Sequence, residues 1–107
     1  MNTMKKIAFE MKLIKGNEAE YQKRHDQIWP ELIDLLKESG INDYHIYLNR
    51  ETGSLFGVMK VESEMLLDLL PQQPIMKKWW AHMKDIMETN LDNSPVSIPL
   101  ENVFYLP

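Results

Sequence analysis

Apolar and polar positions along the chain follow two periods, and these predict the order of its strands and helices. Residues 6–13 alternate between apolar and polar side chains, as in a half-buried strand. Residues 31–38 instead place leucines at helical spacing. The same patterns predict strands at 6–13, 41–48, 54–61 and 102–106, helices at 18–27, 31–38, 63–70 and 74–87, and an ordered loop at 89–99.

Capping and helix-breaking residues set the predicted ends of the helices. Asn17, with Glu20 three residues later, predicts a capping box before the first helix. Pro30 breaks this helix and suits the first turn of the next segment, because a proline inside a helix clashes with the preceding turn. Gly40 then ends the segment, and Ser63 caps the following helix.

The order strand, helix, strand, strand, helix, strand predicts an α+β fold of the ferredoxin-like, split βαβ type. This fold has one antiparallel sheet with its helices on one face. We expect a second copy of the chain to cover the other face, which gives a dimeric α+β barrel. The length of 107 residues fits one domain, 1–107.

Composition and charge exclude several classes of function. The formal net charge is −4, and no run of lysine or arginine is longer than a pair such as Lys5-Lys6, which disfavours nucleic acid as a partner. The chain has no cysteine, so disulfides and thiolate chemistry are excluded. No segment resembles a signal peptide or is long enough to span a membrane, and a cytoplasmic location is expected.

His25 is the residue with the clearest potential for catalysis. Tyr21 precedes it by four residues, which puts both side chains on one helix face. Histidine exchanges protons near neutral pH, and the tandem Trp79 and Trp80 offer flat apolar surfaces on which a sugar can stack. The ordinary alternatives are a hydrogen-bonded structural histidine and tryptophans that pack in the core.

The remaining candidates carry weaker signals. Tyr44 follows the alternation of its strand, so core packing is the default, although its hydroxyl could reach a pocket. His45 and His82 are interpreted as structural or surface residues, and no histidine spacing indicates a metal site. No nucleotide-binding or serine-hydrolase motif is present.

Four motifs together resemble the L-rhamnose mutarotase family. They occupy residues 24–31, 78–80, 92–95 and 103–107, with the sequences RHDQIWPE, KWW, DNSP and VFYLP. The resemblance extends from about Lys5 to Pro107. Gln27 and Leu91 depart from the family pattern, because proline is expected at both positions.

The resemblance implies an isomerase that interconverts the α and β anomers of L-rhamnose in a dimeric ferredoxin-like domain. It implies that His25 is the catalytic proton donor and that the sugar is bound by Tyr21, Tyr44, Trp79 and Trp80. Our hypothesis is that His25 protonates the ring oxygen and that the tryptophans wall the pocket. No cofactor or metal is expected, and the base is not identified.

Two other functions are compatible with the same architecture. Dimeric α+β barrels of this size include small monooxygenases and haem-degrading enzymes, whose pockets also use histidine and tryptophan. A sugar-binding module without catalysis is the third possibility.

Overall fold

The computed structural model describes residues 4–107, so positions 1–3 of the predicted domain and of its N-terminal segment lie outside the described residues. The strands are β1 (Lys5–Lys12), β2 (Ile41–Asn49), β3 (Ser54–Val61) and β4 (Ile98–Leu100). The helices are α1 (Glu18–Asp26), α2 (Pro30–Glu38), α3 (Glu64–Leu69) and α4 (Pro74–Met83), with a 3₁₀ turn at Leu70–Gln72.

The four strands form one antiparallel sheet in the order β2-β3-β1-β4. Strand β3 pairs with β1 along its whole length, from Lys5 opposite Val61 to Lys12 opposite Ser54. This order and the chain path through the helices are those of the ferredoxin-like fold, so the predicted α+β class is confirmed.

The helices cover one face of the sheet, and the core lies between the two layers. Strand β3 shows why, because its side chains alternate between buried and half-buried positions. Leu55 and Val61 on β3 are fully buried, and Leu32 of α2 packs into the same core with 1% of its surface exposed. Among residues 4–107, no helix has the length and apolar character needed to cross a membrane.

The opposite face of the sheet carries apolar side chains without a covering layer among the described residues. Strand pairing aligns its members, because Tyr47 lies opposite Phe56 and Leu100 lies opposite Ala8. Tyr47 is 60% exposed. We call this surface the open sheet face; it consists of Ala8, His45, Tyr47, Phe56, Val58, Ile98 and Leu100.

The position of the last strand is a correction to the sequence analysis. Residues 102–106, predicted as the strand, have no regular structure, and β4 instead forms at Ile98–Leu100, across the end of the loop predicted at 89–99. Pro99 is compatible with this strand because β4 lies at an edge of the sheet, where a missing N–H group leaves no ladder partner unsatisfied.

Two further local predictions are also wrong. Helix α4 ends at Met83 rather than at Met87, because Met87 forms a β-bridge with Leu13. The Asn17 side chain does not cap α1; its Nδ2 donates instead to the carbonyl oxygen of Ile14. The predicted cap at Ser63 is confirmed, since its hydroxyl accepts a hydrogen bond from the N–H of Leu66.

Candidate active site

A cavity of about 560 Å³ lies between the sheet and the helices. This volume is in the range of small-molecule sites. The site residues proposed from the sequence all line this cavity, and they are Tyr21, His25, Tyr44, Trp79 and Trp80. The fold therefore brings together side chains from α1, β2 and α4.

His25 stands near the end of α1, and its ring has a defined orientation. Its Nδ1 lies 3.0 Å from the carbonyl oxygen of Tyr21. A carbonyl oxygen only accepts hydrogen bonds, so Nδ1 carries the hydrogen. Within residues 4–107, Nε2 has no hydrogen-bonding partner, which leaves this nitrogen available to a ligand in the cavity.

Burial favours the uncharged form of His25. Loss of solvent lowers its pKa, and the hydrogen bond to the Tyr21 carbonyl opposes only part of this effect. The imidazole is therefore neutral at pH 7. In this tautomer Nε2 has a free lone pair and is a proton acceptor.

Two tyrosines add neutral hydroxyl groups to the cavity. Burial raises the pKa of Tyr21 well above its ordinary value, and it raises the pKa of Tyr44 to about 12. Tyr44 as a whole residue is 38% exposed, and it lines the cavity. The ring of Tyr21 lies 4.3 Å from that of His25, and Phe9 packs against Tyr44 at 6.1 Å.

The tandem tryptophans form part of the wall, although consecutive helix positions point about 100° apart. Trp79 is buried and meets the His25 ring edge-to-face at 5.4 Å. Trp29 packs edge-to-face on Trp79 from the other side at 5.2 Å. Trp80 is half-buried, and it still reaches the cavity.

Arg24 fixes the position of α1 against the end of α4. Its Nη1 donates to the carbonyl oxygen of His82 at 2.7 Å and to Asp85 at 2.8 Å, and its Nη2 donates to the second oxygen of Asp85 at 3.1 Å. Glu20 accepts from Nε at 2.9 Å. These carboxylates raise the pKa of Arg24, which keeps the clamp charged. The next residue, His25, is thereby held beside Trp79.

The cavity is also lined by polar side chains that the sequence analysis did not predict to be part of the site. Gln22 could have been found, because it lies three residues before His25 on the same helix face. The DNSP motif was noted, but it received no role. Arg50 and Ser97 carry no local sequence signal. The full set is Glu18, Gln22, Arg50, Thr89, Asn93, Ser94 and Ser97.

The two other histidines do not line the cavity. His45 stacks on Tyr47 on the open sheet face at 6.1 Å. His82 is exposed and packs against Trp29 and Trp79. In residues 4–107, no cluster of three histidine, aspartate or glutamate side chains could hold a metal ion.

Comparison with known proteins identifies the family. The model of the L-rhamnose mutarotase family matches residues 6–106. The L-rhamnose mutarotase of Brucella anthropi is 58% identical over 105 residues, which cover 98% of this chain and 99% of that protein. The L-rhamnose mutarotase of Agrobacterium fabrum is 56% identical over 107 residues and matches over the full length of both chains.

Solved structures agree with this assignment. The crystal structure of L-rhamnose mutarotase from Formosa agariphila matches with a TM-score of 0.89 and 50% identity, over 96% of this chain and 99% of that chain. The structure of Rv0793 from Mycobacterium tuberculosis, at 14% identity and a TM-score of 0.54, shares the fold alone. Since a family model and relatives of more than 50% identity cover nearly all of the chain, it belongs to the L-rhamnose mutarotase family.

Proposed function

We propose that this protein is an L-rhamnose mutarotase, an isomerase that interconverts the α and β anomers of L-rhamnose. The observation that carries the proposal is the Nε2 of a neutral His25, which has no hydrogen-bonding partner in residues 4–107 and lines a cavity together with two phenols and two indoles. The names of its relatives supply the sugar.

The reaction opens the pyranose ring and closes it again. The anomeric hydroxyl loses its proton while the bond from the anomeric carbon to the ring oxygen breaks, and the ring oxygen takes up a proton. The resulting aldehyde rotates about its bond to the next carbon, and attack on the other face gives the other anomer. No electron is transferred, so this chemistry needs no cofactor.

His25 is proposed to carry out both proton transfers, with one proton passing through its Nε2. Its neutral Nε2 accepts the proton of the anomeric hydroxyl, and the imidazolium then delivers this proton to the ring oxygen, where it acts as the general acid. The two oxygens are bonded to the same carbon, so one nitrogen can serve both in turn. The Nδ1 hydrogen bond to Tyr21 supports this role, because it holds the ring in one tautomer and stabilises the transient cation.

The aromatic residues are proposed to bind the sugar rather than to transfer protons. Tyr21 and Tyr44 keep their hydrogens at neutral pH, because their pKa values are raised, and they can donate hydrogen bonds to sugar hydroxyls. Trp79 and Trp80 offer apolar surface to the C–H faces of the pyranose and exclude water.

The test is the rate of anomeric exchange of L-rhamnose, measured by saturation-transfer proton NMR with and without the protein. L-fucose and D-glucose serve as comparison sugars. Faster exchange of L-rhamnose supports the proposal. Folded protein that accelerates none of the three exchanges would remove it and leave a non-catalytic binding role to be tested by titration.

We further propose that the enzyme works as a homodimer in the cytoplasm. The open sheet face supports a second copy as the covering layer, since contiguous exposed apolar surface marks interaction sites. The C-terminal residues Val103, Phe104, Tyr105 and Leu106 are each at least 74% exposed and would gain a partner surface in the same assembly. The whole chain, 1–107, is proposed to act as one domain in each subunit.

A further inference from the structure

The loop of the DNSP motif forms a wall of the cavity that the proposed chemistry leaves without a role. We define the DNSP loop as residues 89–97, of which Thr89, Asn93, Ser94, Pro95 and Ser97 line the cavity. It enters the cavity from the C-terminal side of α4, whereas His25 belongs to α1.

Both ends of the DNSP loop are attached to strand β1. Before the loop, the N–H of Glu88 donates to the carbonyl oxygen of Lys12 at 3.1 Å. After the loop, β4 pairs with β1 through Ala8, Phe9 and Glu10. The loop is therefore held on the central part of the sheet, as residues that must bind a ligand in a fixed geometry require.

Hydrogen bonds inside the loop engage the side chains of Asn90, Asp92 and Ser94. Asp92 accepts from the N–H of Ser94 at 3.0 Å and from its hydroxyl. Asn90 donates through Nδ2 to the hydroxyl of Ser94 at 3.0 Å, and its own N–H donates to the Ser94 carbonyl at 2.8 Å. These contacts fix the turn from both sides.

Asn93 sits at the centre of this turn and differs from its neighbours. Its backbone φ is 71°, in the left-handed region that asparagine, aspartate and glycine tolerate best. Its side chain is half-buried, lines the cavity and makes no hydrogen bond with any residue in 4–107. Gln22 is the other carboxamide in the lining, but its Nε2 donates to Asp26.

We infer that Asn93 binds a non-anomeric hydroxyl of the sugar and sets which deoxy-sugars the enzyme accepts. This inference rests on the proposed function, because the ligand is taken to be a pyranose with its anomeric carbon at His25. A carboxamide both donates and accepts hydrogen bonds, so it distinguishes the two orientations of a hydroxyl at C2, C3 or C4. The tryptophans contact the C–H faces of the sugar, so they distinguish the orientation of a hydroxyl less well than a carboxamide does.

The test compares the wild type with Asn93→Gly, which removes the carboxamide but keeps a residue that favours positive φ. Dissociation constants are measured by tryptophan fluorescence for L-rhamnose and for its C2, C3 and C4 epimers. Loss of one hydrogen bond predicts binding of L-rhamnose about 3- to 10-fold weaker, with a similar loss of discrimination against one epimer. Leu91→Ala, fully exposed in the same loop and outside the cavity lining, is the control and is expected to match the wild type.

The outcomes separate this inference from the proposed function. Equal binding and equal epimer discrimination by Asn93→Gly and the wild type would overturn the inference alone. Wild-type protein that binds L-rhamnose without accelerating anomeric exchange would remove the mutarotase proposal, while the binding comparison would still judge Asn93. Absence of sugar binding by the wild type would overturn both. If Asn93→Gly fails to fold, Asn93→Asp decides, since it keeps the shape and the preferred φ but loses the donor.

Discussion

In the proposed mechanism, Nε2 of His25 carries out both proton transfers, so removal of this ring should abolish most of the activity. The variant His25→Ala should fold, because the ring makes one hydrogen bond to a backbone carbonyl that water can replace. A positioned acid or base typically contributes about 10²- to 10⁴-fold. The exchange rate of L-rhamnose at saturating sugar should fall by this factor in the NMR measurement.

A second histidine provides the control for this experiment. His82 packs against Trp29 and Trp79, as part of the same aromatic cluster, but it lies outside the cavity lining. The variant His82→Ala should keep most of the activity. Full activity in a folded His25→Ala protein would exclude His25 from the mechanism.

The lowered pKa of His25 predicts how activity depends on pH. Neutral imidazole is the active base, so activity should decline only when pH falls below the folded-state pKa. That pKa lies below the ordinary value of 6.5. The acid limb of the enzyme-catalysed exchange should therefore have its midpoint below pH 6.5, and a midpoint above that value would contradict the neutral-base role.

The same shift predicts the sign of a stability effect. A histidine with a lowered pKa in the folded state binds fewer protons than in the unfolded chain, so its contribution to stability is present above pH 6.5. This contribution is lost as pH falls through the unfolded-state pKa towards the lower folded one. Urea unfolding at a series of pH values would measure this effect, and titration of the histidine ring protons by NMR would give the folded-state pKa.

At the residue scale, the sequence predicts the centre of the site better than its rim. Spacing of four residues was enough to join Tyr21 to His25, because helix geometry is local and regular. The position of Asn93 depends on where β1 holds a loop that begins only at residue 89, and no local sequence pattern encodes a contact between segments so far apart in the chain. The DNSP motif can be recognised in the sequence, but the sequence does not predict that it lines the cavity.

At the scale of elements, the pairing of strands β1 and β3 shapes one wall of the cavity. In this pair Gly57 lies opposite Phe9. The Phe9 ring covers the glycine, and a methyl group at residue 57 would lie 2.6 Å from Cε2 of this ring. Phe9 also lines the cavity and packs against Tyr44. The absence of a side chain at residue 57 therefore determines the position of the Phe9 ring in the wall of the cavity.

The variant Gly57→Ala should destabilise the fold and weaken sugar binding together. Forcing a packed ring to move costs about 1–3 kcal/mol, and the displaced Phe9 would press on Tyr44. Thermal or urea unfolding measures the first effect, and the fluorescence titration measures the second. Gly57→Ala should lower the free energy of unfolding less when it is made in the Phe9→Leu variant than when it is made in the wild type. Equal decreases in these two proteins would refute the proposed clash.

The last strand shows what element prediction from sequence can miss. Apolar residues at 103–106 suggested a strand, but alternation alone does not say which surface such residues cover. Strand β3 pairs with one edge of β1, and Ile98–Leu100 pair with the other edge. They follow directly after the DNSP loop in the chain. The helix and hairpin predictions agree more closely with the structure, because caps, prolines and turn residues act locally.

Within residues 4–107, one face of the sheet has no covering layer, and the C-terminal segment is largely exposed. Ile98 is 56% exposed on that face, and Phe104 is 77% exposed beyond it. Small domains often bury such surface by association, and a two-fold dimer places the same patch on both partners. The cavity lies on the other side of the sheet, so the proposed dimer would not bury it under the open sheet face.

Disruption of the open sheet face should separate the subunits. Phe56 lies on the central strand β3, paired with Glu10 on one side and Tyr47 on the other, so the variant Phe56→Lys would bring a positive charge into the middle of the proposed interface. Light scattering coupled to gel filtration should give twice 12.7 kDa for the wild type and 12.7 kDa for the variant. Met65→Lys, on the exposed surface of α3, is the matched control and should stay dimeric.

The C-terminal segment gives an independent version of the same prediction. Deletion of residues 103–107 removes the most exposed apolar side chains at this end of the chain without touching the sheet or the cavity lining. If these residues pack on the partner, the truncated protein should dissociate at higher concentrations than the wild type does, while circular dichroism stays unchanged. A wild-type mass of 12.7 kDa at all concentrations would exclude the dimer, and a truncated protein that dissociates like the wild type would exclude the segment from the interface.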